Sequence, residues 1–475
     1  MSKKFYITAA IPYVNAKPHI GHALEFVQTD CIARYHKALG EDVLSLSGGD
    51  ENAVKNIQAA EKENVPVQEF VDRNTEAFRT LAVALNAEFG AWQKGSDRIH
   101  HYPAVQKLWK LCEKDIYKKT YEGLYCVGCE AFYTADELDE AGECFEHPGK
   151  KLEKVAEENY FFALSKYQGR LVEIIKSGEL EIVPETKKNE VLAFLKEPLR
   201  DISISRTNER AKNWGVPVSG DPTQKIYVWF DALNIYQSGI GFGWDEQKYK
   251  KWWPADVHVI GKGITRFHAV YWPAFLLSAG LKLPKTVFVH GYLTVNGQKM
   301  SKTLGNVIDP NEFIGKYGAD ALRYYLLAKV SPFADGDFSE EKLKDAYNAD
   351  LANGLGNLVS RVARLCESVP DIHVSRDESK LDGAVEQALA NFKPNEALEY
   401  IWIKKIFAAN RFIDETKPWE LKGADLGKVL TRLVGEILQI AYNLKPFLPE
   451  TAESIEKQFG GTKIKSQAPL FPRSK

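Results

Sequence analysis

The chain has 475 residues, and 62 Lys and Arg against 64 Asp and Glu give a formal net charge of −2. Its 44% hydrophobic, 27% charged and 12% aromatic residues are typical of a folded globular protein and exclude disordered, collagen-like and fibrous chains. The length predicts two or more hydrophobic cores. The near-neutral charge excludes a histone-like protein that holds nucleic acid through bulk charge, so any nucleic-acid site has to be local.

Cysteine usage and hydropathy predict the compartment. Six cysteines are too sparse for a disulfide-stapled secreted scaffold and fit a reducing cytosol. The apolar stretch near the N-terminus is short and is interrupted by Pro12 and polar residues, which is unlike a signal peptide. The most apolar later stretch, residues 269–281, contains a proline and is shorter than the roughly 18 residues of a membrane-spanning helix. We therefore expect a cytoplasmic protein without a membrane span.

The start of the chain predicts a β-loop-α-β unit. Residues 5–10 are typical of a buried strand, and an irregular loop with two prolines follows. A helix is predicted from about His22 to Gly40, before a second strand at residues 43–46. Such units build parallel sheets whose ligands bind beyond the carboxyl ends of the strands, so the loop at residues 10–22 is predicted to bind a ligand.

The remaining sequence predicts that this sheet is split. A cysteine cluster and short β-rich pieces interrupt it, and strand-like segments return at residues 226–230, 257–260 and 286–289. Amphipathic helical patterns dominate afterwards. We expect an α/β fold with a Rossmann-like parallel sheet, an inserted module and an all-helical bundle. The predicted segments are a first catalytic half at 1–115, the insertion at 116–225, a second catalytic half at 226–330, and a linker with the helical domain at 331–475.

Two short motifs suit the binding of a polyphosphate. His19 and His22 lie where a helix begins and can donate to phosphate oxygens, while Gly21 allows a nucleotide to approach the backbone. Lys299 and Lys302 lie on a glycine-flanked loop and suit a leaving group whose negative charge grows. Taken alone, the first motif is more often a polar helix cap, and the second is more often a solvated basic turn.

As a pair, His-Ile-Gly-His after the first strand and Lys-Met-Ser-Lys after the last one resemble the signature motifs of class I aminoacyl-tRNA synthetases. Further segments resemble the methionyl-tRNA synthetase family in the same order over essentially the whole chain. These segments are residues 9–15, 205–206, 214–217, 227–232, 267–268, 272–274 and 317–323. The resemblance implies a ligase that uses ATP with Mg²⁺ to activate L-methionine as methionyl-adenylate, releases pyrophosphate, and transfers methionine to the 3′ end of tRNA(Met).

The resemblance also assigns a methionine pocket. Its residues are Ile11, Tyr13, Asp50, Trp229, Ala232, Leu233, Tyr236, His268 and Trp272. Aromatic rings suit a polarisable thioether, the Tyr236 hydroxyl could bind the sulfur, and Asp50 would hold the substrate ammonium. A contact to sulfur would separate methionine from leucine, which an apolar pocket alone does poorly. Each aromatic residue taken singly also fits an ordinary core, above all Trp229 near an expected strand end.

The cysteine cluster predicts a structural zinc site. Cys126 and Cys129 form one pair, and after fourteen residues Cys144 and His147 form another, which matches a closed tetrahedral ligand set. Three unrelated cytosolic thiols and a histidine are the alternative. The resemblance supports zinc, because many members of this family carry a zinc knuckle in the inserted module.

A polar helix face follows in the helical part. Asn353, Asn357 and Arg361 recur every four residues, opposite an apolar stripe in residues 351–365. Such a face is usually only solvated, but amides and a guanidinium can read base edges, and Trp419 could stack on an unpaired base. The resemblance assigns these four residues to recognition of the methionine anticodon.

The chain departs from the family pattern in two segments. Residues 48–53 read Gly-Gly-Asp-Glu-Asn-Ala where the family usually shows Gly-Thr-Asp-Glu-His-Gly, and Gly263 stands where an aspartate is usual. Because Gly49, Asn52 and Gly263 differ from the family pattern, the resemblance does not determine which hydrogen bonds surround Asp50. The resemblance is to a short form without a C-terminal dimerisation domain, from which we expect a monomer. Two alternatives remain at this stage: a ligase that uses a small-molecule acceptor, and a non-catalytic tRNA-binding protein.

Overall fold

The computed structural model describes residues 3–126, 131–133, 138–144, 149, 151–300, 305–374 and 380–474. The strands among these residues are β1 (Lys4–Ala9), β2 (Asp42–Gly49), β3 (Ala91–Lys94), β4 (Ile116–Cys126), β5 (Ala131–Tyr133), β6 (Glu153–Phe162), β7 (Glu181–Val183), β8 (Ile202–Ser203), β9 (Ser205–Thr207), β10 (Pro217–Val218), β11 (Asp221–Ile226), β12 (Val257–Gly261), β13 (Thr286–His290), β14 (Leu293–Val295), β15 (Gln298–Lys299) and β16 (Gly336–Phe338).

The α-helices among the described residues are α1 (Ile20–Ala38), α2 (Val54–Glu63), α3 (Val67–Ala84), α4 (His101–Cys112), α5 (Gln168–Ser177), α6 (Glu185–Phe194), α7 (Val228–Leu233), α8 (Ile235–Ser238), α9 (Glu246–Trp252), α10 (Trp272–Ala279), α11 (Pro310–Tyr317), α12 (Ala319–Ala328), α13 (Glu340–Ala346), α14 (Asn357–Cys366), α15 (Gly383–Ala390), α16 (Pro394–Tyr400), α17 (Phe407–Thr416), α18 (Gly423–Leu444) and α19 (Pro449–Phe459). Short π-helical segments are Phe267–Tyr271, Tyr347–Gly356 and Ile401–Ile406.

A six-stranded parallel sheet lies at the centre, in the order β3-β2-β1-β12-β13-β7. Each neighbouring pair in it is parallel. The residues of β13 are buried throughout, because helices cover both faces of such a sheet. The carboxyl ends of these strands share one edge, so the segments that follow β1, β2, β12 and β13 meet there. The prediction of an α/β fold with a parallel sheet is confirmed.

Two details differ from the sequence prediction. Glu181–Val183 lies inside the range expected as an insertion, yet it pairs in parallel with β13. A strand this short leaves no alternation for a sequence pattern to detect. The strand predicted at 226–230 is wrong, because β11 ends at Ile226 and α7 begins at Val228. A short apolar run is equally compatible with a buried strand and a buried helix, and tertiary packing decides between them.

The chain after Phe338 is helical wherever the structure assigns it regular secondary structure. The longest of these helices, α18, buries one side, which includes Leu430, Leu433, Ile437 and Leu444. Apolar residues at steps of three and four form that side, so its burial stabilises the helix more than intrinsic propensity does. None of the described helices has the length and apolar character needed to cross a bilayer.

The buried side chain of Arg323 connects these helices to α1, which packs on the sheet. Arg323 on α12 is 0% exposed and Asp30 on α1 is 1% exposed, and Nη2 of the arginine lies 2.8 Å from the carboxylate. The same guanidinium donates to the carbonyl oxygens of Leu85 at 3.1 Å, Pro446 at 3.3 Å and Phe447 at 2.7 Å. One side chain therefore joins α1, the end of α3 and the turn between α18 and α19.

Removal of this guanidinium should destabilise the fold strongly. In Arg323→Ala, the Asp30 carboxylate loses a buried partner and three carbonyl groups lose a donor, so we expect the free energy of unfolding to fall by about 3 kcal/mol or more. Urea unfolding followed by tryptophan fluorescence measures the change. Arg79→Ala, at an exposed arginine paired with Glu76, is the control and should leave stability nearly unchanged. Equal losses in both variants would contradict the assignment.

Candidate active site

The first motif forms the start of α1, which begins at Ile20, slightly earlier than predicted. The Gly21 N–H donates to His19 Nδ1 at 3.1 Å, and the His19 N–H donates to His22 Nδ1 at 3.1 Å. The two rings thus cap the helix reciprocally. Burial, together with His19 and His290, lowers the pKa of His22 well below its usual value. His22 is therefore neutral, and because its Nδ1 accepts, its proton lies on Nε2.

Met300, in the described part of the second motif, lies next to the first motif. A Cβ built on Gly21 would lie 3.5 Å from Met300 Cε and 3.0 Å from His19 Cε1. The Ile20 N–H donates to the carbonyl oxygen of Ile308 at 3.0 Å, so the chain on both sides of residues 301–304 contacts the helix start. Lys302 lies outside the described residues, as does the side chain of Lys299. The described parts of the two motifs nevertheless share one surface. A Cβ at position 21 would be tight only against the His19 ring and would meet Met300 at ordinary van der Waals distance.

Asp50 directly follows β2 and is buried. It forms a parallel bridge with Tyr13, and its N–H donates to the Pro12 carbonyl at 2.9 Å. The Asn56 side chain donates to the Asp50 carbonyl at 2.8 Å. Lys55, which no sequence motif indicates, places its Nζ 2.8 Å from the centre of the Tyr13 ring. The backbone that carries Asp50 is therefore fixed against the predicted substrate loop.

The neighbouring acidic residue, Glu51, has a different environment. It is fully buried, and one carboxylate oxygen accepts from the Thr75 hydroxyl at 2.5 Å. The other oxygen accepts from the backbone N–H and the hydroxyl of Ser96, at 2.9 and 2.5 Å. Both carboxylate oxygens of Glu51 are thus engaged by the scaffold.

Trp229 lies at the centre of an aromatic wall. It lies on the helix α7 rather than at the expected strand end, and its ring stacks on Phe267 at 3.7 Å. Tyr13 and His268 approach it edge-on, with ring centres at 6.0 and 6.4 Å. Phe267 was not predicted, although it immediately precedes His268 in a segment that carries the resemblance. Two further predicted residues of α7 are also buried: Ala232 and Leu233.

Tyr236 is hydrogen-bonded to His268. The ring nitrogen Nδ1 of His268 donates to the Ile264 carbonyl at 3.0 Å, so its Nε2 accepts from the Tyr236 hydroxyl at 2.8 Å. Burial raises the pKa of Tyr236 well above its usual value, whereas a hydrogen bond from the Ile11 backbone lowers it. Burial lowers the pKa of His268 to about 4. Both side chains are neutral at pH 7, and the hydroxyl proton predicted for the substrate sulfur already has an acceptor.

Two other aromatic residues complete this region. Trp272 is fully buried, with its ring centre 6.0 Å from Trp253, and its indole N–H has no acceptor among the described residues. His258, on β12, was missed by the sequence analysis. Its ring centre lies 4.4 Å from that of Tyr236, and its Nδ1 lies 2.7 Å from the Thr8 hydroxyl. A histidine inside a strand gives no signal of its position in the sheet.

The polar helix face is confirmed. Asn353 and Asn357 are exposed and Arg361 is half-buried, whereas the apolar stripe beside them is largely buried. The Arg361 guanidinium pairs with Asp414 at 2.7 Å, which orients it. Trp419 is 58% exposed. Asn353, Asn357 and Trp419 are thus exposed, although the Asn353 side-chain oxygen accepts from the Arg473 guanidinium at 2.7 Å. Asn353 lies in the π-helical segment Tyr347–Gly356, which departs from the expected period.

The predicted zinc ligands are only partly described. Cys126 ends β4 and is buried, and Cys144 is also buried. Cys129 and His147 lie outside the described residues. Among the residues that are described, no group of three or more His, Cys, Asp or Glu is arranged to hold a metal ion. The two buried thiols have the soft character that zinc prefers.

Comparisons with known proteins relate this arrangement to a family. The sequence profile described as tRNA synthetases class I (M) matches residues 5–363. The chain belongs to this family. The methionine–tRNA ligase of Brucella suis is 40% identical over 510 aligned residues, which cover 99% of this chain and 98% of that protein. The methionine–tRNA ligase of Thermotoga maritima is 41% identical over 472 residues, 95% of this chain and 74% of that protein.

Solved structures of class I tRNA synthetases (M) are also similar. Methionyl-tRNA synthetase of Mycobacterium tuberculosis in complex with methionyl-adenylate has a TM-score of 0.90 and 36% identity, and the match covers 99% of this chain and 100% of that one. The free form of that enzyme has a TM-score of 0.86 and 32% identity, with 100% of this chain and 99% of that one covered. The similarity in fold therefore extends over essentially the whole chain.

Burial of neutral His268 makes stability depend on pH. Between the usual histidine pKa near 6.5 and the value of about 4 in the fold, protons bind the unfolded chain but not the folded one. Stability therefore falls as the pH drops through this interval. His268→Asn removes this effect, so the difference in melting temperature between wild type and variant should be smaller at pH 5 than at pH 7. An equal difference at both pH values would contradict the neutral state.

Proposed function

We propose that this chain is a methionine–tRNA ligase that activates methionine with ATP and transfers it to the 3′ end of tRNA(Met). The observation that carries the proposal is the proximity of the helix start to the chain on both sides of residues 301–304: Met300 lies beside Gly21, and the Ile20 N–H donates to the Ile308 carbonyl. Two motifs nearly three hundred residues apart that serve one triphosphate have to share a surface. The family, with its relatives named methionine–tRNA ligase, supports the same reaction.

In the proposed activation step, the methionine carboxylate attacks the α-phosphate of ATP, and pyrophosphate leaves. His19 and His22 stabilise the phosphates as hydrogen-bond donors, since a neutral His22 with its proton on Nε2 can donate but carries no charge. Lys299 and Lys302 stabilise the leaving pyrophosphate, and Mg²⁺ arrives with the nucleotide. Gly21 leaves space for the nucleotide beside the backbone. The step requires no protein nucleophile.

The proposed methionine site combines one charge with an aromatic wall. Asp50 holds the ammonium, and the side chain lies against the residues Ile11, Tyr13, Trp229, Ala232, Leu233, Tyr236, His268 and Trp272. The hydrogen bond from Tyr236 to His268 gives the hydroxyl one orientation. The thioether sulfur is a weak hydrogen-bond acceptor. It accepts from the Tyr236 hydroxyl when the hydroxyl proton turns from His268 toward the sulfur or is shared between the two acceptors. Leucine lacks such an acceptor.

The proposed tRNA site is the polar face with Asn353, Asn357, Arg361 and Trp419, which reads the anticodon. We propose further that residues 331–475 carry this site, that residues 116–225 form the inserted module apart from Glu181–Val183, and that 1–115 and 226–330 are the catalytic halves. The ligase is expected to act as a cytoplasmic monomer. In the inserted module, Cys126, Cys129, Cys144 and His147 would hold one structural zinc ion.

The activation step is tested by methionine-dependent exchange of labelled pyrophosphate into ATP. We expect exchange with methionine and little with leucine, and Lys302→Ala should reduce the exchange rate by about 100-fold or more because the leaving group loses a preorganised charge. An exchange rate equal to wild type would reject the role of Lys302. No methionine-dependent exchange in wild type would reject the proposed function.

The matched comparison is Arg361→Ala, which also removes one positive charge. It should weaken aminoacylation of tRNA(Met) and leave pyrophosphate exchange unchanged, because the exchange reaction needs no tRNA. A parallel fall of both activities would contradict this division of roles. Charging of tRNA by wild type separates the proposal from a ligase with a small-molecule acceptor, and exchange separates it from a non-catalytic tRNA-binding protein.

The zinc proposal is tested by metal analysis. We expect about one zinc ion per chain, and Cys126→Ser should lose most of it because a hydroxyl is a poor ligand for zinc. Cys366→Ser, at a buried cysteine of α14, is the control and should keep the metal. Equal zinc contents in both variants, or none in wild type, would contradict the site.

A further inference from the structure

Asn52 is one of the positions at which the chain departs from the family pattern, and its side chain is buried. The amide nitrogen donates to the Gly95 carbonyl at 2.7 Å and to Asp231 Oδ2 at 2.6 Å. The Tyr102 hydroxyl donates to the amide oxygen at 3.3 Å. Both amide hydrogens and the amide oxygen are thus engaged, and the first two bonds both come from the single amide nitrogen, which carries two donors.

Asp231 connects several elements. While Oδ2 accepts from Asn52, its Oδ1 lies 2.5 Å from His101 Nε2, and the other ring nitrogen of His101 lies 2.7 Å from the Ser238 hydroxyl. The exposed fractions are 1% for Asp231 and 0% for both His101 and Ser238. Hydrogen bonds to a carboxylate that is shielded from water are stronger than neutral ones. This network holds α4, α7 and α8 against the loop that follows β2.

The network joins the two ends of the proposed methionine site. Asp50, the proposed partner of the substrate ammonium, lies two residues before Asn52. Asp231 lies on α7, the same short helix that carries Trp229 and Ala232 of the aromatic wall. The hydrogen bond between Asn52 and Asp231 therefore connects the segment that binds one end of the substrate to the helix that binds the other.

We infer that Asn52 is a positioning residue which, through Asp231, sets the spacing between the ammonium end and the thioether end of the methionine site. It touches no substrate atom itself. The inference rests on the proposed function, because it assigns a length-discriminating role to a residue behind that same site. With the spacing fixed, an amino acid with one extra methylene, such as ethionine, fits poorly. With the hydrogen bond removed, α7 can shift relative to Asp50.

Pyrophosphate exchange by the full chain tests this role. Asn52→Ala should raise the KM for methionine about tenfold, as expected for a lost hydrogen bond to a buried carboxylate, and leave the KM for ATP within twofold. The ratio of kcat/KM for methionine over ethionine should fall. Asn52→His, which restores the residue usual in the family and keeps one donor, should give a smaller rise in the KM for methionine.

An exchanged pair tests the direct contact. Asn52→Asp alone brings two carboxylates together and should be the most damaging single change. Combined with Asp231→Asn, it restores one hydrogen bond with donor and acceptor reversed, and the His101 N–H keeps an acceptor at position 231. The double variant should recover a large part of the affinity for methionine, but not all of it, because an aspartate at position 52 cannot donate to Gly95. A double variant no better than Asn52→Asp would overturn the direct link.

Asn443→Ala is the matched control for the loss of a buried asparagine. Its side-chain oxygen accepts from the Asp382 N–H at 2.9 Å, on a helix outside the catalytic sheet. It should lower the melting temperature but leave the KM for methionine and the ratio over ethionine unchanged. If Asn52→Ala behaves like this control, Asn52 is only structural and the inference fails, while methionine-dependent exchange by wild type still supports the proposed function.

Discussion

The common edge of six parallel strands is the constraint on which the proposed active site depends. The loop to the capping pair His19 and His22 follows β1, Asp50 follows β2, the segment with His268 follows β12, and the chain to Met300 follows β13. Strands that run in the same direction end on the same side, so residues far apart in sequence meet without any long-range attraction between their side chains. Neighbouring backbone bonds, such as that from Ile20 to Ile308, then fix their distances.

Two histidines that this edge buries have hydrogen-bond partners that determine which ring nitrogen carries the proton. Burial keeps His22 and His268 neutral, and the hydrogen bond that each ring accepts at one nitrogen assigns its proton to the other. The same principle acts at larger scale between α1 and the helical part. Asp30 lies in the helix that His19 caps, and its buried ion pair with Arg323 connects that helix to the turn before α19. Buried polar contacts of Arg323 thus link α1 to the turn before α19.

Local patterns in the sequence were sufficient for the main assignments. The β-loop-α-β start, the parallel sheet and the amphipathic helix with Asn353 and Asn357 follow from periodicity, which depends only on near neighbours. The paired signature motifs indicate the family because their order and content are specific. Periodicity does not predict the secondary structure of short segments correctly. It gives no signal for β7, which lies inside the predicted insertion, and it predicts a strand where α7 is a helix.

The sequence by itself thus determined the class of fold, the family and the types of residue available for the reaction. Only the tertiary structure decided which of those residues are already engaged. Glu51 is bound by Thr75 and Ser96, the Tyr236 hydroxyl by His268, and Asn52 by Asp231. The physical reason is that a hydrogen bond in a buried site requires segments separated by tens to hundreds of residues to be placed correctly to within a fraction of an ångström. A one-dimensional pattern does not contain those positions.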